Sequence, residues 1–222
     1  AEDAALPDAS EEATVPPTGK QRQATDMPPA EPDPNAWNLR LVNQWNLLPE
    51  DYEIALTELV NYHAVDRRCY ADLQNMIDDC RAAGLTPVIC SSYRTWEDQT
   101  RLFQNKVGEF LAQGFSQAQA EVEAGKIVAV PGTSEHQLGL ALDIVDVDNQ
   151  RLDRTQEETA VQKWLLAHSW EYGFVLRYPS DKSEITGIIY EPWHYRYVGK
   201  EAAAEMHDTG VCLEEYLEEI SG

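Results

Sequence analysis

The sequence predicts an α+β fold, a small, mainly antiparallel sheet flanked by helices, on three observations. Helical and extended patterns are interspersed with neither βαβ regularity nor a Gly-rich phosphate loop. The 222 residues hold no internal repeat and suit a single core. From 139 to 147 the chain is apolar almost without break, as in a strand covered on both faces.

Residues 1–35 are rich in Ala, Glu, Asp, Pro, Thr and Gln and almost devoid of large apolar side chains, so burial there cannot offset the entropy of ordering. They read as a disordered acidic, Pro-rich linker ahead of one folded domain, 36–222. That domain begins near Trp37, where Leu39, Leu41 and Val42 lead into Leu47-Leu-Pro-Glu-Asp-Tyr52. A helix over 66–83 follows from Leu73, Met76 and Ile77 at helical spacing, with Gly84 placed to end it in the left-handed region. Thr86-Pro-Val-Ile-Cys90 reads as a short buried strand. Thr95 then caps a helix with Asp98 three residues on, and Ser116 with Gln119 repeats the signature. In the 139–147 strand, period two puts Ala141, Asp143 and Val145 on one face and Leu140, Leu142 and Ile144 on the other. A further helix over 157–172 carries Val161, Trp164, Leu165 and His168 on one stripe and closes at Gly173. Strands over 174–177, 185–189 and 193–198 come next, and one or two short helices finish the chain.

Seventeen basic against 39 acidic residues leave a formal charge of -22, which argues against nucleic acid and anionic membrane surfaces as partners. Small peptides, or a polymer read through local contacts, suit such a surface. No run approaches the roughly 18 to 20 apolar residues of a membrane span. The first residues lack the basic and apolar regions of a signal peptide, so any export signal is expected to have been removed, and a membrane tether upstream of residue 1 is compatible with the stalk. Cys69, Cys80, Cys90 and Cys212 include no Cys-x-x-Cys pair. Either two disulfides form, or all four are buried free thiols. Cys69 with Cys80 is a poor pair, because eleven helical residues separate them by roughly 16 Å.

The chemistry concentrates in Pro131-Gly-Thr-Ser-Glu-His136-Gln-Leu-Gly-Leu-Ala-Leu-Asp143 and in Glu191-Pro-Trp-His194. Two imidazoles, one aspartate and a spare carboxylate are what a catalytic zinc site needs: three ligands, an open position for water and a general base. Gly139 lets His136 sit on a loop above Asp143 in its strand. Residues 191 and 194 would face apart on a straight strand, but Pro192 interrupts regular pairing and a bend can make them converge. Taken separately, a surface histidine, a turn-capping aspartate, a turn carboxylate and a packed histidine beside Trp193 are the ordinary alternatives. His63, His168 and His207 read as structural, His168 as a core histidine.

The two segments, written Ser134-Glu-His136-Gln-Leu-Gly139-Leu-Ala141-Leu-Asp143 and Glu191-Pro-Trp-His194-Tyr-Arg196-Tyr-Val-Gly199, resemble the VanY-like D-alanyl-D-alanine carboxypeptidases, zinc peptidases of the hedgehog/DD-peptidase fold. The likeness runs from about Trp37 and takes in Leu48-Pro-Glu-Asp-Tyr52, Ser92-Tyr-Arg94, Gln99 and Gly173-Phe-Val-Leu-Arg177-Tyr-Pro179. It implies one Zn2+ held by His136, Asp143 and His194, with Glu191 as base and Arg94 facing the substrate carboxylate or the developing oxyanion. Gln99 and Ser134 match positions lining the substrate pocket, and Tyr178 and Trp193 shape its wall. Leu138 departs from the threonine common in relatives, and the four cysteines are not a general feature. The implied activity is removal of the terminal D-alanine from peptidoglycan stem peptides ending in D-Ala-D-Ala, by a monomer placed outside the bacterial cytoplasm. The alternatives are L,D-carboxypeptidase action on tetrapeptide stems, endopeptidase action within the stem, a D-Ala-D-Ala dipeptidase, and a non-catalytic zinc-containing cell-wall-binding module.

Overall fold

The structure, a computed structural model, describes residues 32–222. The linker expected over 1–35 lies outside the described residues up to residue 31. From Asp33 onward the chain already turns, with Ala36 N–H donating to Asp33 O at 2.9 Å and Leu39 N–H to Ala36 O at 3.0 Å. Trp37 anchors this start, stacked on Tyr197 with ring centroids 5.8 Å apart and covered by the Arg68 guanidinium at 3.9 Å.

A hairpin that the sequence did not signal comes first: β1 (Leu56–Glu58) pairs antiparallel with β2 (Ala64–Asp66). Asn61 and Tyr62 form its tight turn at φ 59 and 63, a conformation that non-glycine residues adopt at a cost. Because Asp66 is held by this pairing and by its N–H to Gly139 O at 2.8 Å, the first helix starts later than its periodicity suggests. α1 spans Tyr70–Ala82 and buries Leu73, Met76, Ile77 and Cys80. β3 (Pro87–Ser91) leads into α2 (Trp96–Ala112), capped by Thr95, whose side chain accepts from Asp98 N–H, and α3 (Gln117–Gly125) opens with the expected Ser116–Gln119 capping box. β4 spans Ala141–Asp146.

The helix expected over 157–172 is broken into three pieces. A 3-10 turn at Arg154–Glu158 precedes α4 (Ala160–His168), and a second at Ser169–Tyr172 ends at Gly173 in the left-handed region. Thr159 causes the first break: it is extended, at ψ 154, and spends its side chain capping α4 through Gln162 N–H. Val161 and Leu165 are buried as their stripe predicts, but His168 is a correction, with its side chain 44% exposed and 2.8 Å from Glu171. β5 (Phe174–Leu176) follows. The strand expected over 185–189 is instead the short helix α5 (Ser183–Thr186), closed by Gly187 at φ +75. Ile185 and Ile189 stay exposed, so the segment gains neither the burial nor the pairing a strand would need. β6 (His194–Tyr197), α6 (Lys200–Thr209) and α7 (Leu213–Ser221) complete the chain.

The main sheet has the order β3-β4-β6-β5 with every neighbour antiparallel. Its apolar face, carrying Leu142, Ile144 and Tyr195, packs on α1 and α4, while α6 and α7 build a second core with Leu39, Val175 and Val198. The opposite face of β4 and β6 carries the polar residues. The four cysteines are free; Cys69, Cys80 and Cys212 are buried and Cys90 is exposed, so neither two disulfides nor four buried thiols describes them.

Candidate metal centre

Strand register builds the centre. In the β4–β6 ladder Asp143 lies directly opposite His194, so the two side chains rise from one face of adjacent strands. Residues Glu191 to His194 form a turn, with His194 N–H donating to Glu191 O at 3.2 Å, which brings the carboxylate back over the imidazole that the next strand begins with. His136 arrives from the loop before β4, on a 3-10 turn (Glu135–Leu138) closed by Gly139 at φ +67. A side chain at 139 would meet Asp66 N at 3.0 Å, so the glycine allows both the turn and the close approach of β2.

One ligand atom from each of His136, Asp143 and His194 lies within 4.8 Å of the others, and all three residues are buried. His136 Nε2 is 3.4 Å from Asp143 Oδ2, and His194 Nδ1 is 3.2 Å from Asp143 Oδ1 and 3.6 Å from Glu191 Oε2. His136 Nδ1 sits 2.8 Å from the carbonyl oxygen of Ser92, which as an acceptor sets the proton on Nδ1 and leaves Nε2 to face the cluster. Asp143 Oδ1 is buried without a hydrogen-bond partner. A converging set of two imidazoles and one carboxylate, with an orphaned buried oxygen among them, fits zinc.

Electrostatics separate the roles. Burial by itself would lower the His194 imidazole, but the carboxylates of Asp143, Glu135 and Glu191 outweigh it and push it up to about 9. Burial and the Arg94 charge lower His136 to about 4. Asp143 is held well below the carboxylate range because the two imidazoles outweigh its burial. Glu191 goes the other way: burial, with repulsion from Asp143, pushes it up to about 8. One carboxylate is thereby poised to stay charged beside the imidazoles and the other to exchange a proton near neutral pH.

Arg94 donates to Asp143 Oδ2 at 3.1 Å and to Ser91 Oγ at 2.8 Å, and its Nη1 donates to Gln99 Oε1 at 3.3 Å. Arg94, Ser134, Tyr178, Glu191 and Trp193 all line the cavity of about 330 Å3 that contains the three ligands. Tyr178 also packs its ring 4.8 Å from that of His194. Gln99 does not reach this cavity: fully buried, it steadies Arg94 and donates to Ala129 O at 2.7 Å. Several residues escaped the sequence reading. Lys106, Ile127 and Leu152 line the cavity from α2 and two loops, without any local pattern to mark them. Glu135, Arg177 and Arg196 are buried behind His194; they fall within the segments that carry the family resemblance, but nothing in the sequence assigned them a role.

A small antiparallel sheet that presents two histidines, an aspartate and a carboxylate of raised pKa in one cavity defines a zinc-dependent hydrolase. The VanY D-alanyl-D-alanine carboxypeptidase family matches residues 62–200, and the chain belongs to that family. A D-alanyl-D-alanine carboxypeptidase of Enterococcus faecalis is 48% identical over 185 residues, covering 83% of this chain and 67% of that protein. A vancomycin resistance D,D-pentapeptidase VanY variant solved in complex with Zn(II) superposes with a TM-score of 0.75 at 48% identity, over 82% of this chain and 99% of that one. VanYB in complex with D-alanine-D-alanine gives 0.76 at 48% identity, over 82% and 98%. The hedgehog/DD-peptidase-like α+β architecture expected from the sequence is the one found.

Proposed function

We propose that this chain removes the terminal D-alanine from peptidoglycan stem peptides ending in D-Ala-D-Ala, with zinc held by His136 Nε2, a carboxylate oxygen of Asp143 and His194 Nδ1. The observation that carries this reading is the convergence of those ligand atoms within 4.8 Å beside Glu191. Zinc bound there supplies Lewis acidity, polarising the scissile carbonyl and acidifying water. Glu191, whose desolvation by burial makes its carboxylate a stronger base than an exposed one, takes a proton from the attacking water and passes it to the departing amine of D-alanine. Arg94, aimed into the same cavity, offsets negative charge growing on the carbonyl oxygen, and Ser91 and Gln99 fix its fork in place. Ser134, Tyr178 and Trp193 form walls that exclude water and orient the two alanine methyls. The substrate's location supports an extracytoplasmic protein.

Metal analysis together with mass spectrometry of a defined pentapeptide tests the reading. Loss of a single D-alanine, abolished by chelation and by Glu191→Gln at full zinc occupancy, is expected. Release of a dipeptide, cleavage inside the stem, or turnover only of tetrapeptides would replace the assigned substrate with one of the related reactions. Zinc binding with no cleavage of any stem would make the site a binding module.

A further inference from the structure

Behind the cluster lies a carboxylate that the mechanism above does not use. Glu135 is fully buried, and its Oε1 accepts from Arg177 Nε at 2.8 Å and from Arg196 Nη1 at 2.7 Å. Arg177 in turn grips Glu214 of α7 in a two-bond fork at 2.7 and 2.8 Å, and Asn43 Nδ2 donates to the same Glu214 at 3.1 Å. The remaining oxygen, Glu135 Oε2, has no hydrogen-bond partner, and neither has His194 Nε2. These two orphans face each other at 3.8 Å. Buried polar atoms without partners are rare and costly, and a shift of about 1 Å would turn this pair into a hydrogen bond.

We propose that Glu135 is the positioning residue of His194: it keeps the imidazole proton on Nε2, so that Nδ1 is the atom left free toward Asp143, Glu191 and the metal. The inference rests on His194 being a zinc ligand. His136 has a counterpart in the Ser92 carbonyl, so each imidazole is steered by a different backing group. Both arginines donate to one oxygen of Glu135, which forces the carboxylate to present its other oxygen to His194. The network also ties the orientation of a ligand to the packing of α7, far along the chain.

Charge neutralisation of the two arginines is the rival role, and two substitutions separate it from positioning. In Glu135→Gln the amide oxygen must stay on the arginines, so the NH2 turns toward His194 Nε2 and rewards the tautomer with the proton on Nδ1. Glu214→Gln weakens the same arginine network without touching His194. Zinc competition with a chelator should show Glu135→Gln binding roughly 10- to 100-fold more weakly. In the zinc-loaded wild type, 15N-resolved NMR should show a protected His194 Nε2–H that Glu135→Gln loses. Glu214→Gln should lower the melting temperature while leaving zinc affinity within about twofold and the Nε2–H signal intact. If Glu135→Gln does not fold, Glu135→Asp, which keeps the charge but retracts the carboxylate, carries the same measurements. Unchanged affinity and signal in the Glu135 variant, or an equal loss in Glu214→Gln, overturns the proposal. Failure of the wild type to bind zinc would instead overturn the metal site itself.

Discussion

Arg94 sits where two demands meet. Its guanidinium reaches both Asp143 Oδ2 and the cavity, so a change there touches catalysis and the metal together. Arg94→Ala, assayed at saturating zinc so that occupancy is not the variable, should lower kcat at least a hundredfold, on the order of 3 kcal/mol in the barrier. Arg94→Lys should recover little, because a single ammonium cannot hold Ser91, Gln99 and a substrate oxygen at once. The imidazoles predict a proton count. With its carboxylates pushing it up to about 9, metal-free His194 is protonated at pH 7, whereas His136, lowered to about 4, is already neutral. Zinc requires both to be free, so binding must expel the His194 proton, and Glu191, at about 8, gives up a further share. Apparent zinc affinity should therefore rise more than tenfold per pH unit between about 7 and 8, where both groups release protons, about tenfold per unit from there toward 9, and then level off. Calorimetry in buffers of different ionisation enthalpy measures the release; a count of zero would mean that His194 is neutral in the free protein.

At the scale of elements, the centre depends on where β4 starts. Gly139 holds a left-handed turn while Asp66 N–H donates to its carbonyl, which clamps the His136 turn, the β1–β2 hairpin and β4 in one arrangement. Gly139→Ala adds a Cβ at 3.0 Å from Asp66 N and 3.3 Å from Leu56 Cδ2 at a φ unfavourable to alanine. Urea denaturation should report a loss of more than about 1 kcal/mol, and zinc affinity should fall with it because His136 and Asp143 flank the site of change. The elements also mark where sequence reasoning held. Capping residues Thr95 and Ser116 and the helix-ending glycines 84 and 173 act locally, so they were legible from the chain alone. The 185–189 segment was not: Ile188 and Ile189 have strand propensity, but no neighbouring strand is available to them, and Gly187 turns the chain away. His168 failed for a related reason, since the helix breaks at His168 itself, at φ -127, and its side chain turns toward solvent and Glu171.

For the molecule as a whole, thiol chemistry distinguishes the fold from the alternatives its cysteine count permits. With all four cysteines free, titration of unreduced protein after denaturation should give four thiols, and the native melting temperature should be unmoved by reductant. Two thiols or none, or a drop on reduction, would reveal a bridge. The sequence by itself determined the class of fold, the helix caps, the identity of the buried aspartate strand and the ingredients of the zinc site, because each is written in a periodicity or a short motif. Only the tertiary structure decided that Asp143 stands directly opposite His194, that Glu191 turns back over it, and that Glu135 and two arginines close the site from behind. Those facts depend on strand register and on partners separated by tens of residues, such as Arg177 and Glu214, which come together only when burial of the shared core brings the strands and helices into contact.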